Sequence, residues 1–347
     1  MSDGQAFRLT ATAKTGGCAA KLGPGELALL LRPLGAGDAL RENVLVGPET
    51  GDDAGVFLFE GRALVATTDF IPPVCDDPRR YGRVAAANAL SDVWAMGGEP
   101  LFALNLCAFP TDLPPGVAAS ILEGAGGAVA EGGAVVLGGH TVRDPETKFG
   151  LAVVGVAPPD RLLTLGGARA GQRIVLSKPL GTGVLVNAFK FGKLDAAGLE
   201  PALVQMERLN RDAARAALAH GATAATDVTG FSLAGHAWHV ARESRVGIVL
   251  EFDALPVHPR FFDLVRAGVS TGCTPKNRDY VAPRLELVRP FAPEEQELLF
   301  DPQTSGGLLV ALPAESAAGY LAELAATGHT AAEIGEVVEG PPRLEVR

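Results

Sequence analysis

Residues 67–98 read T-T-D-F-I-P-P-V-C-D-D-P-R-R-Y-G-R-V-A-A-A-N-A-L-S-D-V-W-A-M-G-G. The apolar run Ala63–Ala66 leads into Thr67-Thr68-Asp69, the pattern of a buried strand that carries a carboxylate at its C-terminal end. Pro72-Pro73 and Asp76-Asp77-Pro78 mark a turn-rich segment. Tyr81 to Met96 then reads as a helix closed by Gly97-Gly98, with Pro100 just beyond. Asn88 and Asp92 are spaced to share one face of it. Their neighbours are Ala, Val, Leu, Trp and Met, so that face is not freely solvated. A carboxylate in such company needs a cation or several donors, because burying a bare charge costs many kcal/mol. Two roles stay open for Asp92: partner to a cation, or cap on a neighbouring segment.

The rest of the chain sets bounds on class. Its 347 residues suffice for two ordinary domains, and 47% hydrophobic content with 43 Gly and 25 Pro suits an α/β protein with many tight turns. A formal net charge of −10 argues against non-specific nucleic-acid binding. No run reaches the length of a membrane span, and no signal-peptide pattern opens the chain, so no membrane association is expected. Cys18, Cys75, Cys107 and Cys273 are far apart with no C-x-x-C pair, which fits neither a zinc site nor a disulfide framework. A reducing, cytoplasmic setting follows as the expectation.

Upstream, residues 1 to about 24 lack periodicity and read as a flexible Gly-rich loop presenting Cys18 and Lys21, or else as a frayed terminus with an incidental thiol. A short helix is expected over Glu26–Arg32. Asp52-Asp53 enter a strand over Val56–Phe59 with Gly on both sides, which is either a polar turn or a hard-cation ligand pair suited to Mg²⁺. Downstream come a strand over Leu101–Phe109, a helix that Pro114-Pro115 starts and that runs to Glu131, and a strand over Ala134–Leu137. The last runs into Gly138-Gly139-His140-Thr141, read as a turn whose backbone N–H groups can approach a phosphate. A strand over Phe149–Val156 closes a β-β-α-β-α-β-β half. Neither of the common nucleotide signatures, G-x-x-x-x-G-K-[ST] or a helix-opening G-x-G-x-x-G, is present there.

Pro158–Ala170 reads as a bridge, giving two α/β domains with mixed sheets, residues 1–157 and 171–347. In the second, one amphipathic helix is expected from Ala202 to His220. Ala224–Asp227 repeats the design of a strand ending in Thr-Asp before a helix, making Asp227 a second buried-carboxylate candidate. His236 and His239 read as packing or surface residues, since no third ligand lies at a metal-like spacing. Asp301-Pro-Gln-Thr-Ser-Gly-Gly307 reads as a polar turn before an apolar strand; a helix over Glu315–Thr327 and a strand over Glu333–Val338 end the chain.

Taken together, these motifs resemble selenophosphate synthetase (selenide, water dikinase), within the aminoimidazole-ribonucleotide-synthetase-like superfamily. The resemblance spans nearly the whole chain and rests on Gly17-Cys18-x-x-Lys21, Gly51-Asp52-Asp53-Ala54, Thr67-Thr68-Asp69-Phe70, Asn88 to Asp92 with Ala95-Met96-Gly97-Gly98, and Gly138-Gly139-His140. The second half adds Thr226-Asp227-Val228-Thr229-Gly230-Phe231, Gly235-His236 and Asp301–Gly307. The Cys-x-x-Lys loop and the D-P-Q-T-S-G-G turn are its most specific parts. The resemblance implies that ATP, selenide and water give selenophosphate, AMP and phosphate. It implies a catalytic Cys18 and Lys21, the latter also reaching the ATP phosphates, and Mg²⁺ ligands Asp52, Asp92 and Asp227. Nucleotide contacts are implied at Glu49, Thr50, Gly51, Asp69, Asp92, Gly139, His140 and Thr141, mostly in the N-terminal, ATP-binding domain, in a homodimer. Independently, several carboxylates with few convergent bases make a poor polyphosphate site unless metal ions supply positive charge.

Two positions depart from the family pattern. Ala20 stands where many relatives carry a second loop cysteine, and Lys276 where relatives usually have Arg, replacing a bidentate contact by a point charge. Other readings are another ATP-dependent kinase of the superfamily, a sulfur substrate, or a non-catalytic nucleotide-binding regulatory subunit.

Overall fold

Residues 7–22, Leu30 and 38–347 are described by a computed structural model. The helix expected over Glu26–Arg32 lies, apart from Leu30, outside them. The first half runs β1 (Val44–Val46), β2 (Gly55–Phe59), β3 (Arg62–Ile71), α1 (Pro78–Ala95), β4 (Glu99–Phe109), α2 (Pro115–Glu131), β5 (Val135–Arg143) and β6 (Lys148–Ala157). Its strands form one sheet in the order β1-β2-β3-β6-β4-β5, antiparallel except for the β4–β5 pair.

After short turns at Pro159–Arg161 and Leu165–Gly167 the second half follows. It contains β7 (Arg173–Leu176), α3 (Thr182–Lys190), α4 (Ala196–Glu207), α5 (Arg211–Ala219), β8 (Ala224–Asp227), α6 (Ser232–Ser244) and β9 (Gly247–Leu250). Then come α7 (Phe261–Arg266), α8 (Thr274–Val281), β10 (Leu285–Leu287), α9 (Pro293–Phe300), β11 (Leu308–Leu312), α10 (Ala317–Ala326), β12 (Ala332–Val338) and β13 (Arg343–Val346). The second sheet has the order β10-β13-β9-β12-β7-β11-β8, which leaves β8 and its Asp227 at an edge.

Helix α1 starts earlier than its apolar periodicity indicates. Pro78 occupies its first turn and the Asp77 side chain caps it by accepting the Arg80 N–H. It packs on α2 with backbones almost in contact: a Cβ on Gly82 would lie 1.9 Å from the Ile121 carbonyl oxygen, and one on Gly124 would lie 1.8 Å from that of Arg79. These two glycines allow α1 and α2 to share one face of the first sheet. The opposite face is left with Phe70 52% exposed, beside an exposed Leu104.

Three local expectations are corrected. Gly138-Gly139-His140-Thr141 is not a turn: it lies within β5, next to an irregularity in the β4–β5 register. Gly139 has φ +157°, and a Cβ there would meet the Asn105 carbonyl oxygen at 2.3 Å, so the glycine serves strand packing. The single helix expected from Ala202 to His220 is two, α4 and α5, broken at Arg208–Asn210. There the Lys178 ammonium takes the Arg208 carbonyl (2.7 Å) and the Asn210 amide reaches Ser91 Oγ (2.8 Å) and the Gly306 carbonyl (2.9 Å). The apolar stripe continues across the break, with Leu203, Met206, Leu209, Ala213 and Ala217 all buried. Finally, β13 follows β12, pairing with β9 and β10, so the strand over Glu333–Val338 does not end the chain.

Candidate active site

Strand β3 and helix α1 present matched rows of polar groups. Thr67 Oγ1 donates to Asp92 Oδ2 at 2.5 Å, and Asn88 Nδ2 donates to Asp69 Oδ2 at 2.5 Å. Two residues along a strand advance about 6.6 Å and four along a helix about 6 Å, so running the two elements antiparallel brings both pairs into register. One residue further round α1, Ser91 turns toward the second half, where its hydroxyl holds Asp227 and accepts the Asn210 amide.

A cleft of about 380 Å³ opens above this row. Lys21, Gly51, Asp52, Asp53, Thr67, Asp69, Asp92 and Asp227 line it, with Phe231, His236 and His239 on another wall. Burial, then repulsion from Asp227 and Asp69, holds the Asp92 carboxyl well above the ordinary carboxylate range. Burial, then Asp227, does the same to Asp53, while burial lifts Asp227 to about 6 against the pull of the Ser91 hydroxyl. The buried oxygens Asp53 Oδ2 and Asp227 Oδ2 have no protein partner. Unpaired buried carboxylate oxygens in mutual repulsion are a site that favours a hard cation. Among the described residues no three His, Cys, Asp or Glu are placed as they stand to hold a metal ion together.

Asp52 also lines the cleft, but its Oδ1 accepts the Leu165 N–H at 2.7 Å. Of the adjacent pair, Asp53 is the one that interacts with Asp227. Glu49 is exposed and 3.7 Å from Arg41, Thr50 bonds back to the Gly47 carbonyl, and Gly51 reaches the cleft. Gly139, His140 and Thr141 stand on the exposed edge strand and are not among the residues lining the cleft of this chain. His236 and His239 are buried, as packing residues would be, yet both face the cleft.

Cys18 and Lys21 lie where the two halves meet. Among the described residues the N-terminal segment is docked: the Lys190 ammonium holds the Thr10 and Ala13 carbonyls, and Thr10 donates to Asp76. Cys18 is fully buried, its thiol 3.4 Å from Asn88 Oδ1 and its N–H donating to Thr304 Oγ1 at 2.8 Å. Burial pushes the thiol up to about 12 despite the nearby Lys21. Burial works against the Lys21 ammonium, but the neighbouring charges, Asp69 at 3.0 Å first and then Cys18 and Asp92, together hold the group above its ordinary range. The Cys273 thiol supports the same turn, 2.9 Å from the Ala19 carbonyl.

The Asp301–Gly307 segment, expected as a polar turn, is buried. Gln303 Oε1 accepts the Gly181 and Thr182 N–H groups and Asp301 Oδ2 that of Gly183, capping α3. Thr304 then fixes Cys18, and the Ser305 N–H donates to Asn88 Oδ1 at 2.8 Å. The residues missed from the sequence are therefore Thr304 and Ser305, which hold the Cys18 region from across the chain. The signal available was the dense polar D-P-Q-T-S-G-G string itself.

The folded chain thus has two sheets, a carboxylate-lined cleft between halves, and a lysine over a buried thiol. The models of the AIR synthase related protein N-terminal and C-terminal domains match residues 51–157 and 169–347. A selenide, water dikinase of Porphyromonas gingivalis is 45% identical over 325 residues, 93% of this chain and 92% of that protein. One of Geobacter metallireducens is 46% identical over 341 residues, 97% and 98% of the two. Thiamine monophosphate kinase of Aquifex aeolicus has a similar fold, with a TM-score of 0.67 at 21% identity, covering 93% of this chain and 96% of that one. The chain belongs to the AIR synthase related proteins and, within them, to the selenide, water dikinase family.

Proposed function

We propose that this chain makes selenophosphate from ATP, selenide and water, releasing AMP and phosphate. The observation that carries the reading is the placement of Lys21 over the buried Cys18 at the mouth of an aspartate-lined cleft. Among the described residues lining that cleft, Lys21 alone carries a fixed positive charge, since burial holds His236 and His239 below their ordinary range. A polyphosphate beside Asp52, Asp53, Asp69, Asp92 and Asp227 would be repelled unless a cation came with it.

The donor set fits Mg²⁺: Asp92, Asp227 and the Asp52–Asp53 pair would hold it, leaving phosphate oxygens and waters to complete its shell. When bound, the metal neutralises charge on the phosphates. Asp69 and Asn88 hold Lys21 and Cys18 ready at the cleft. On nucleotide binding Lys21 would exchange Asp69 for phosphate oxygens. Residues 1–157 would form the main ATP-binding domain and 171–347 the domain that contributes Asp227.

Incubation with ATP and Mg²⁺, with and without selenide, tests the reading by nucleotide and phosphorus analysis of products. Selenide-dependent AMP with selenophosphate is expected. ADP as the sole nucleotide product would overturn it in favour of another kinase activity, and no turnover would favour a regulatory subunit.

A homodimer belongs to the same proposal, with β5 as its contact. This edge strand shows apolar side chains to solvent, Leu137 being 64% exposed, and it continues an uncovered sheet face carrying Phe70 and Leu104. A second copy seated there would bring its Gly139-His140-Thr141 segment into an interface, the setting in which these residues could serve a nucleotide. Leu137→Glu is expected to convert a dimer to a monomer by light scattering and to weaken ATP binding by about tenfold or more. An unchanged dimer would remove β5 from the interface. No described helix is long and apolar enough to cross a membrane, and the four cysteines are free; a cytoplasmic setting is part of the same proposal.

A further inference from the structure

The cleft's unpartnered carboxylate oxygens are backed by a hydrogen-bonded chain that runs from Thr229 and His236 in its wall through Thr226, which does not line it, to Asp53. The Thr229 N–H donates to His236 Nε2 at 3.1 Å. An accepting Nε2 in a neutral imidazole places the ring proton on Nδ1. Nδ1 lies 3.1 Å from Thr226 Oγ1, so the ring donates to that hydroxyl. The hydroxyl in turn donates to Asp53 Oδ1 at 2.8 Å. Each member is thereby limited to one direction of donation, from backbone to imidazole to hydroxyl to carboxylate.

The surroundings keep the chain in this state. Thr226 is fully buried at the edge of the second sheet, and His236 is 5% exposed, packed against Phe231 and His239 at ring separations of 5.8 and 6.2 Å. The charged and titratable groups around the ring are Lys21 and His239, both of which disfavour an imidazolium, as burial does. Asp53 comes from the first half of the chain, whereas Thr226 and His236 come from β8 and α6 of the second. The hydrogen bond at Thr226 is therefore a tie across the cleft that occupies Oδ1 and leaves Oδ2 open. Asp227, the next residue on β8, likewise has its Oδ2 buried and open.

We propose that Thr226 and His236 are positioning residues for the cation site. By holding Asp53 through Oδ1 they set its Oδ2 beside that of Asp227, as a preformed pair of oxygen ligands for the divalent ion that accompanies the nucleotide. This rests on the metal reading above and extends it to two residues that act through Asp53 rather than as ligands of the ion. Outer hydrogen-bond partners of metal ligands act in this way, by restricting the orientations the ligand can take. Thr226 donates to Asp53 from its hydroxyl alone, so a substitution that removes only that group isolates the effect.

The test is Mn²⁺ binding to the full-length protein in the presence of a non-hydrolysable ATP analogue, read by electron paramagnetic resonance and calorimetry. Thr226→Val, close to isosteric, is expected to weaken Mn²⁺ binding by about tenfold, within the range seen when outer partners of metal ligands are removed. Thr226→Ser, which keeps the hydroxyl, should stay within about twofold of wild type on the same physical ground. In turnover assays the Val variant should need more metal for half-maximal rate yet approach the wild-type kcat at saturating metal. His236→Leu and His236→Asn provide a second pair should the Val variant not fold: the former loses the donor to Thr226, the latter retains an amide in its place. Melting curves identify variants that are unfolded. Equal Mn²⁺ affinity in Thr226→Val, Thr226→Ser and wild type, with Asp227→Asn losing the ion, would overturn the positioning role alone. Unchanged Mn²⁺ binding in Asp227→Asn and Asp92→Asn would overturn the metal reading on which it stands.

Discussion

Asp92→Asn is expected to lower ATP turnover by roughly a thousandfold, comparable to removing a principal electrostatic contact in phosphoryl transfer, with the fold unchanged. The side chain is buried on α1, held by Thr67 on one side and faced by Asp227, Asp69 and Asp53 on the others. Asn has the same shape and can still accept from Thr67 through its carbonyl oxygen. It removes one of several like charges confined to a low-dielectric cleft, so without nucleotide the melting temperature should stay level or rise. With Mg²⁺ and ATP the order should reverse, because the wild type gains stability from a ligand that the variant no longer holds. Melting curves with and without Mg²⁺ and ATP, alongside turnover, measure both effects. Wild-type turnover in the variant would remove Asp92 from the metal and nucleotide machinery.

Cys18→Ser and Lys21→Ala are expected to fail in different ways. Serine at position 18 still donates its N–H to Thr304 Oγ1 and can donate its hydroxyl to Asn88, so ATP binding should remain within about twofold of wild type, while selenide-dependent AMP formation falls by about a hundredfold or more because the alcohol is a far weaker nucleophile than thiolate. Lys21→Ala should weaken both ATP binding and turnover, costing about 3 kcal/mol of transition-state stabilisation, since it removes the fixed cation from the cleft and leaves Asp69 facing the phosphates unpaired. Product analysis and calorimetry on both proteins separate the two roles. Selenophosphate made at the normal rate by Cys18→Ser would show that the thiol has no catalytic part.

The buried position changes what is expected of the thiol. A cysteine three residues from a lysine, on a flexible loop over phosphates, would be partly ionised. In the folded chain burial outweighs Lys21 and pushes Cys18 up to about 12. A neutral thiol is thus favoured by folding: that contribution to stability is present below the ordinary thiol pKa and is lost as pH rises toward 12. Alkylation of Cys18 should accordingly be slow at neutral pH in the nucleotide-free protein.

Much of the site was visible in local spacing. Thr67 and Asp69 two apart on a strand, and Asn88 and Asp92 four apart on a helix, are periodicities of the backbone itself, and the two steps are nearly equal in length. Apolar surroundings marked both rows as buried. The cysteine, the lysine and the second Thr-Asp strand end were equally legible, because each is a short local pattern. Gly97-Gly98 bounded the C-terminal end of α1 for the same reason, whereas its start at Pro78 lies before the Tyr81 that the apolar pattern indicates.

Other features depended on contacts between residues far apart in the chain. Which of Asp52 and Asp53 faces Asp227 is decided by the Leu165 N–H, which takes one oxygen of Asp52, and by Thr226, which takes one of Asp53. The break between α4 and α5 needs Lys178 and Ser91, neither adjacent to it, and hydrophobic periodicity runs through it unaltered. Gly138-Gly139 reads as a phosphate loop until β4 is placed against it and Asn105 fills the space a side chain on Gly139 would need. The D-P-Q-T-S-G-G string shows only polarity along the chain. Its burial, and its grip on Cys18 and Asn88, arise because β11 brings it under a segment nearly 300 residues earlier, with Cys18 N–H to Thr304 Oγ1 spanning |i−j| = 286. Local propensity selects strands, helices and their faces, whereas the partner of a buried polar group is settled only when distant segments compete for the same donor or acceptor.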